Sequence, residues 1–461
     1  MTLRGVRNVP NVERPSPLFQ MPEMVRLFSG KNHVRQLLAF ESALARAEAR
    51  AGVIPAAAAD AIAAACSVES FDIVALYADA ESTGSIVIPL VRALTERAGD
   101  VGASYVHWGA TSQDAIDTAL MLQMRAALSL LISEVRKVAT ECVRLADTHR
   151  LTVMAGRTLL QHGVPITFGL KAARWLALTI RLERALCERR DTGLALQFGG
   201  AAGTLAALGG DGLRVAECLA AELQLPLPIL PWHAERDRIG IIASAVGVAA
   251  GGMAKIATDL VLLAQTDVGE VAESAGPGRG TSSAMPQKRN PADSTAALAA
   301  ARLCAGQVAV VLGAAAHEHE RATGAWQVES VAIPELFGFA AGAASRVSRA
   351  LAGLEVNSAR MQENLARDGY MLMAESLTMA LAPSLGRPRS HGVTQRVVRE
   401  AQVAGVSLGE RARYDSEIGA VLSREQIDLA LDPASYLGST ETFIDRTLDS
   451  FRALEQETAG S

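Results

Sequence analysis

The chain has 461 residues, 49% of them hydrophobic and 20% charged, with a net charge of −5. That length and composition suit a globular protein with a sizeable buried core, and they exclude a disordered or low-complexity one. The mild negative charge is spread along the chain and leaves no basic footprint for nucleic acid.

Aromatic residues make up only 4%, and the sequence is crowded with Ala, Leu and Val. Small side chains let helices approach closely, whereas sheets favour aromatic and β-branched residues, so the fold class expected is all-α. The five cysteines, Cys66, Cys142, Cys187, Cys218 and Cys304, are scattered and lack any CxxC spacing. Reduced thiols in a cytoplasmic protein fit this better than a disulfide framework or a zinc site, and no metal is expected. Met1 to Pro17 has no apolar core to serve as a signal peptide. The most apolar run, Ile239 to Ala254, is shorter than the roughly 20 residues of a membrane span, so no membrane partner is expected.

In chain order, the first hundred residues predict short helices. Pro22 opens one segment, Gly52 with Pro55 breaks the next, and Gly84 and Gly99 follow. From Met121 the apolar residues Met121, Met124, Leu128, Leu131, Val135, Val138, Cys142 and Leu145 recur at alternating steps of three and four, a heptad seam. A second seam runs through Ile242, Val246, Ala249, Met253, Ile256, Leu260 and Leu263. At about 1.5 Å per residue such helices span several tens of ångströms, and they are expected to find partners in a bundle, largely from other subunits. Further helices are predicted after Pro165 and after Pro291. Between the second seam and Pro291 lies a Gly/Pro-rich connection from Ser274. A connection this long is usually a functional lid or a linker, and its Ser, Gln, Lys, Arg and Asn content favours a lid. From about Arg346 shorter helices return, broken at Gly386, Pro388 and Gly392. The division expected is an N-terminal helical domain (1–105), a long-helix bundle carrying the loop 274–291 (106–345), and a C-terminal helical domain (346–461).

The loop holds the most specific motif. Ser282-Ser283-Ala284-Met285-Pro286-Gln287-Lys288-Arg289-Asn290-Pro291 resembles the signature loop of the fumarase/aspartase superfamily, whose usual form is GSSxMPxKxNP, with Thr281 where a glycine is usual. Three other stretches resemble that superfamily: His107-Trp-Gly-Ala-Thr111-Ser112-Gln-Asp114, Gly156-Arg157-Thr158-Leu159-Leu-Gln161-His162, and Gln197-Phe-Gly-Gly-Ala-Ala-Gly203-Thr204. Pro22 to Phe28, His319 to Trp326, and Ala374 to Pro383 running into Leu385-Gly386-Arg387 are most similar to its bacterial branch that lactonises 3-carboxy-cis,cis-muconate. The resemblance implies a three-domain all-helical fold, a homotetramer whose active sites combine stretches from different subunits, a small polycarboxylate substrate and no cofactor. It also implies that Ser282 is the proton-abstracting base. The loop partners Ser283 and Met285, and the flanking Gln161 and Thr204, are expected to contact substrate.

The residue types fit such chemistry. Making or breaking a bond β to a carboxylate through an α-carbanion requires fixed donors aimed at a doubly charged aci-carboxylate. Lys288 and Asn290 are suitable donors. Thr111 and Ser112 stand where the long helix begins, with Asp114 in a capping-type position, so they are carboxylate ligands, simple N-caps, or both. His107 and His162 are either proton carriers or hydrogen-bonded structural residues. Arg321 and Arg157 are either carboxylate clamps or members of ordinary salt bridges. One departure is informative: many superfamily members read GRTH, with that His a general-acid candidate, and here the position is Leu159. A carboxylate leaving group, whose conjugate acid has a pKa of about 4, departs without such help. Loss of the His therefore suits a cycloisomerase better than a C–N lyase. Two alternatives stay open: a superfamily lyase releasing fumarate from an N- or O-substituted succinate, and a non-catalytic, crystallin-like structural protein.

Overall fold

The computed structural model describes residues 18–274, 280 and 284–459. Its helices begin with α1 (Pro22–Leu27), α2 (Gly30–Arg50), α3 (Ala56–Ala65), α4 (Ile73–Thr83), α5 (Val87–Arg97) and α6 (Gly99–Ala103). The long α7 (Ser112–Thr148) leads into a hairpin of β1 (Val153–Thr158) and β2 (Gln161–Thr167), then α8 (Phe168–Thr192), α9 (Gly212–Leu223) and α10 (Asp237–Leu263). A two-residue β3 (Val271–Ala272) precedes α11 (Ala292–Gly313) and α12 (Ala325–Ala352), and it pairs with β4 (Glu355–Val356). The remainder is α13 (Ser358–Ala366), α14 (Ala374–Leu385), α15 (Arg387–Ala404), α16 (Leu408–Arg413), α17 (Ser416–Gly419), α18 (Arg424–Ala430) and α19 (Thr440–Ala459). The fold is all-α, as the composition implied.

Local chemistry sets many of the boundaries. The Ser29 hydroxyl accepts from the N–H of Asn32 to cap α2, and Asp72 accepts from the N–H groups of Val74 and Ala75 to cap α4. Gly84 closes α4 in the left-handed conformation that a Cβ disfavours. One expectation was displaced: Pro165 sits inside β2, and the helix predicted to follow it starts only at Phe168. The apolar alternation of Val164 and Ile166 in the hairpin was too short to register beside the longer helical periods.

The residues form two compact units. Of the described residues, the first draws on those within 18–135, 182–254 and 296–346, and the second on those within 136–181, 255–295 and 347–459. In the first, α2 packs on α3 and α9, and α3 on α6. Gly247 of α10 admits Val308 of α11, since a Cβ there would lie 2.5 Å from Val308 Cγ2. In the second, the hairpin packs on α13, and a core of Leu365, Met373, Leu377, Leu381, Val397 and Leu408 joins α13 to α16.

Both heptad seams are buried, and this corrects the expectation that other subunits would cover them. Every seam residue from Met121 to Leu145 and from Ile242 to Leu263 is at most 4% exposed within the single chain. The apolar helices are longer than the run from Ile239 to Ala254 suggested. Among the described residues, α7, α10 and α11 are long and apolar enough to cross a membrane by length and composition alone. In α7 and α10 most of the apolar stretch is buried against the chain itself, 67% and 56%, but in α11 only 28% is. On α11 Leu303, Val310 and Leu312 remain exposed, as do Ile241 and Val248 on α10 and Val331 on α12.

Met253, 1% exposed, tests the seam. Met253→Asp places an unpaired charge there, a penalty of several kcal/mol. The expected outcome is loss of the cooperative thermal transition in circular dichroism, not release of folded single chains. A folded monomer would show that the seam depends on neighbouring copies after all.

Candidate active site

The site is organised around Asp114, in the first turn of α7. Its carboxylate is fully buried and accepts from five donors. The Thr111 N–H at 3.1 Å is the helix-start contact that the capping position suggested. The N–H groups of Gly199 and Gly200 follow at 3.0 and 2.9 Å, with the Gln197 amide at 3.4 Å. His233 Nε2 completes the set at 2.7 Å and is 4% exposed. One carboxylate thus fastens the Gln197-Phe-Gly-Gly stretch to the start of α7. The glycines are required for this. A Cβ on Gly199 would lie 2.7 Å from Pro231 Cβ, and Gly200 has φ +70°. Thr118 doubles the link, donating to the Gln197 carbonyl and accepting from its N–H.

Several expected residues gather here. Thr111 and Ser112 stand at the helix start. Arg321 donates from Nε to Gln113 Oε1 at 3.1 Å and from a terminal nitrogen to the Ala201 carbonyl at 3.1 Å, which fixes a guanidinium beside the first turn of α7 and the glycine stretch. Thr204 follows that stretch, exposed, its hydroxyl accepting from the Ala206 N–H. His107 precedes the helix with a left-handed backbone, φ +57°, and its Nδ1 lies 2.6 Å from Glu41 Oε1 of α2. Burial draws the His107 pKa down, but the charge and hydrogen bond of Glu41, with the charge of Asp114, outweigh it and raise the net value.

Beneath lies a second ionic knot. Arg236, 2% exposed, donates to both oxygens of Asp117 and to both of Glu329, and its guanidinium stacks over Trp232. The Trp326 indole donates to Asp117 at 3.1 Å, so this tryptophan packs into the ionic core. A cavity of about 560 Å³ opens beside it, lined by Phe28, His33, Tyr77, Asp117, Trp326 and Glu329 among others. None of the residues expected to contact substrate lines it, and the Asp117 and Glu329 carboxylates in its wall are paired with Arg236.

The other expected residues belong to the second unit. The hairpin pairs Arg157 with His162 and Thr158 with Gln161, leaving both His162 and Gln161 at or near the surface. Arg157 is not free to clamp a substrate. Its fork donates at 2.8 and 2.6 Å to both oxygens of Glu270, a fully buried carboxylate that also accepts from Asn364 at 2.8 Å. The salt-bridge alternative therefore holds at Arg157, and its assignment as a substrate ligand is withdrawn. Leu159 and Leu160 form the two-residue turn, both at positive φ, as tight hairpins require. Leu159 is 96% exposed at the tip.

Ser282 and Ser283 lie outside the described residues. Among the described residues of the loop, backbone bonds and ion pairs fix its C-terminal part. The Asn290 N–H donates to the Gly280 carbonyl at 2.9 Å, and Lys288 N–H to the Met285 carbonyl at 3.0 Å. Arg289 forks onto Glu355, and Glu273 accepts from the N–H groups of Asp293 and Ser294 at the start of α11. Met285 and Lys288 are exposed, with Asn290 half-buried.

Residues 19–309 match the family model described as Lyase, and residues 371–447 the one described as Adenylosuccinate lyase C-terminus. The chain belongs to the fumarase/aspartase superfamily. It is 45% identical over 438 residues to the 3-carboxy-cis,cis-muconate cycloisomerase of Bradyrhizobium diazoefficiens, covering 94% of this chain and 97% of that one. The enzyme of that name from Pseudomonas aeruginosa is 44% identical over 443 residues, 95% and 96% of the two chains. The crystal structure of the 3-carboxy-cis,cis-muconate lactonizing enzyme from Pseudomonas putida superposes with a TM-score of 0.89 at 38% identity, covering 95% of this chain and 98% of that one. Within this superfamily member, Asp114, His233 and Glu41 are the residues that sequence reasoning undervalued. The sequence marks Asp114 only as a capping-type position, and neither of the others carries a local motif.

Two outcomes are expected. Asp114→Asn removes the charge that five donors share at a fully buried carboxylate, so it should destabilise by about 3 kcal/mol or more, the scale of breaking a buried charged pair. A denaturant midpoint unchanged from wild type would refute that role. Glu48 of α2, fully buried, is pushed up to about 9 by burial and by Glu41. The folded state therefore holds a proton that the unfolded chain releases, and stability falls as pH rises from about 4.5 to about 9. Glu48→Gln should gain little in melting temperature at about pH 5 and progressively more towards about pH 8.

Proposed function

We propose that the protein is a cycloisomerase that lactonises 3-carboxy-cis,cis-muconate. The observation that carries this reading is the similarity to cycloisomerases of that substrate over 94% to 95% of the chain. Leu159 supports it, because a substrate whose attacking and leaving group is a carboxylate makes no demand for a general acid at the hairpin tip.

In the lactonising direction, a carboxylate oxygen of the substrate adds to the β-carbon and the α-carbon becomes part of an aci-carboxylate. Lys288 and Asn290 are the donors proposed for that developing charge. Ser282 delivers the proton to the α-carbon, and in the reverse elimination removes it, by microscopic reversibility. The N-terminus of α7 with Thr111 and Ser112, and the guanidinium of Arg321, take up remaining carboxylates. Ser283, Met285, Gln161 and Thr204 bound the pocket, and His162 is the further proton carrier. The reaction calls on no cofactor.

The exposed apolar residues Leu303, Val310 and Leu312 of α11 support a homotetramer in which copies of this chain cover one another and share active sites. Sedimentation should then report four 48.4 kDa chains. The three-part domain division at 105/106 and 345/346 is kept as part of the same reading. Free thiols at all five cysteines fit a cytoplasmic location.

The match of residues 371–447 to the adenylosuccinate lyase C-terminus favours one second reading, release of fumarate from an N-substituted succinate. Steady-state rates separate the two. The expected result is fast loss of the muconate absorbance and slow or no fumarate release from adenylosuccinate or argininosuccinate. Ser282→Ala should keep the assembly and lower kcat by about 10²-fold or more, the range of lost acid–base catalysis. Faster fumarate release would reverse the assignment, and normal turnover by Ser282→Ala would move the proton elsewhere.

A further inference from the structure

Two carboxyl groups of α2, Glu41 and Glu48, stand seven residues apart on one helix face, and both are buried, at 2% and 0% exposed. Glu41 meets His107 Nδ1 through Oε1, while its Oε2 and both oxygens of Glu48 find no hydrogen-bond partner among the described residues. A buried carboxylate demands a nearby positive charge, and His107 is the side chain that the fold brings to it. The fold accepts strain to do so, since His107 is a non-glycine residue at φ +57°, four positions ahead of Thr111. A histidine that only filled the core would need neither that backbone nor its residual exposure, 15% of the side chain.

We propose that Glu41 is a positioning residue of this enzyme: by holding Nδ1 of His107 it fixes the ring as an imidazolium whose Nε2–H is offered to a carboxylate of the substrate. This rests on the polycarboxylate reading above. The surrounding groups agree. Glu48, pushed up to about 9, and the Cys66 thiol, pushed up to about 12, are neutral near pH 7, and of the three groups it is Glu41 that touches the ring. Asp114 adds a second negative charge beyond the ring, and Arg46, which lies towards Cys66, is paired with Glu222. Because Nδ1 is taken, Nε2 is the nitrogen left for an outside partner.

The test uses the full-length protein with ¹⁵N-labelled histidine, His107 being assigned through His107→Gln. In wild type, His107 should titrate above its ordinary 6.5, and in Glu41→Gln about one unit or more lower, with Glu41→Asp between them. The saturated probe tricarballylate should shift the His107 signal in wild type and bind about tenfold more weakly to Glu41→Gln. In turnover, Glu41→Gln should raise KM about tenfold with kcat nearly kept, and the alkaline limb of kcat/KM should move down with the His107 pKa. A merely structural role would alter the melting temperature and leave that limb in place. The wild-type titration stands even if Glu41→Gln fails to fold, and a His107 pKa at or below 6.5 overturns the proposal. So does tricarballylate binding that ignores Glu41. Binding of tricarballylate with the expected His107 shift, but without turnover of 3-carboxymuconate, would sustain the positioning role and refute the substrate assignment alone.

Discussion

A single buried carboxylate, Asp114, holds the candidate site residues of the first unit in place. Asp114 has no access to water, so its charge is balanced entirely by directed donors: three backbone N–H groups, an amide and an imidazole. Charge-assisted hydrogen bonds of this kind are worth roughly twice neutral ones, and in a dry setting they tolerate little displacement. The start of α7, the glycine pair and the Trp232–His233 segment therefore move as one piece. Thr111, Ser112 and the Arg321 guanidinium inherit their places from it, since Arg321 is itself tied to Gln113 and to the Ala201 carbonyl.

The second unit uses the same device for a different end. Glu270 is as buried as Asp114, and it immobilises Arg157 through both oxygens. That pairing braces the hairpin, whose tip carries Leu159 and Leu160 in strained left-handed conformations. Glu273 and Glu355 do the equivalent for the base of the signature loop by holding the start of α11 and Arg289. Carboxylates thus set the geometry in this unit, Glu270 buried, Glu273 half-buried and Glu355 exposed, while Lys288 and Gln161 stay exposed and His162 half-buried.

The long helices divide into two kinds. In α7 and α10 a heptad seam meets the chain's own side chains, and small residues such as Gly247 let the helices close on one another. In α11 an equally apolar surface is left open. Hydrophobic area of that extent in water is what copies of a chain cover when they assemble, which links the fold to the proposal that active sites are shared.

Composition and period alone determined the helical class, the two seams and the special character of the 274–291 connection, and the motif of that connection pointed to the family by resemblance. These are local or statistical properties, carried by residue type and spacing along the chain. The fixed polar positions of a motif also survive without knowledge of the fold, which is why Lys288, Asn290 and Thr111 could be chosen as candidates from residue type alone. Tertiary structure decided what each charge is used for. Arg157 and Arg321 look alike in sequence, yet one is consumed by Glu270, 113 residues away, and the other is set beside the helix start. Glu41 and His107 are separated by 66 residues and share no pattern, so only the packing of α2 beneath the segment before α7 could bring them to 2.6 Å. The reason is physical: burial and pairing of an ionisable group depend on which distant segments surround it, and no local period encodes that.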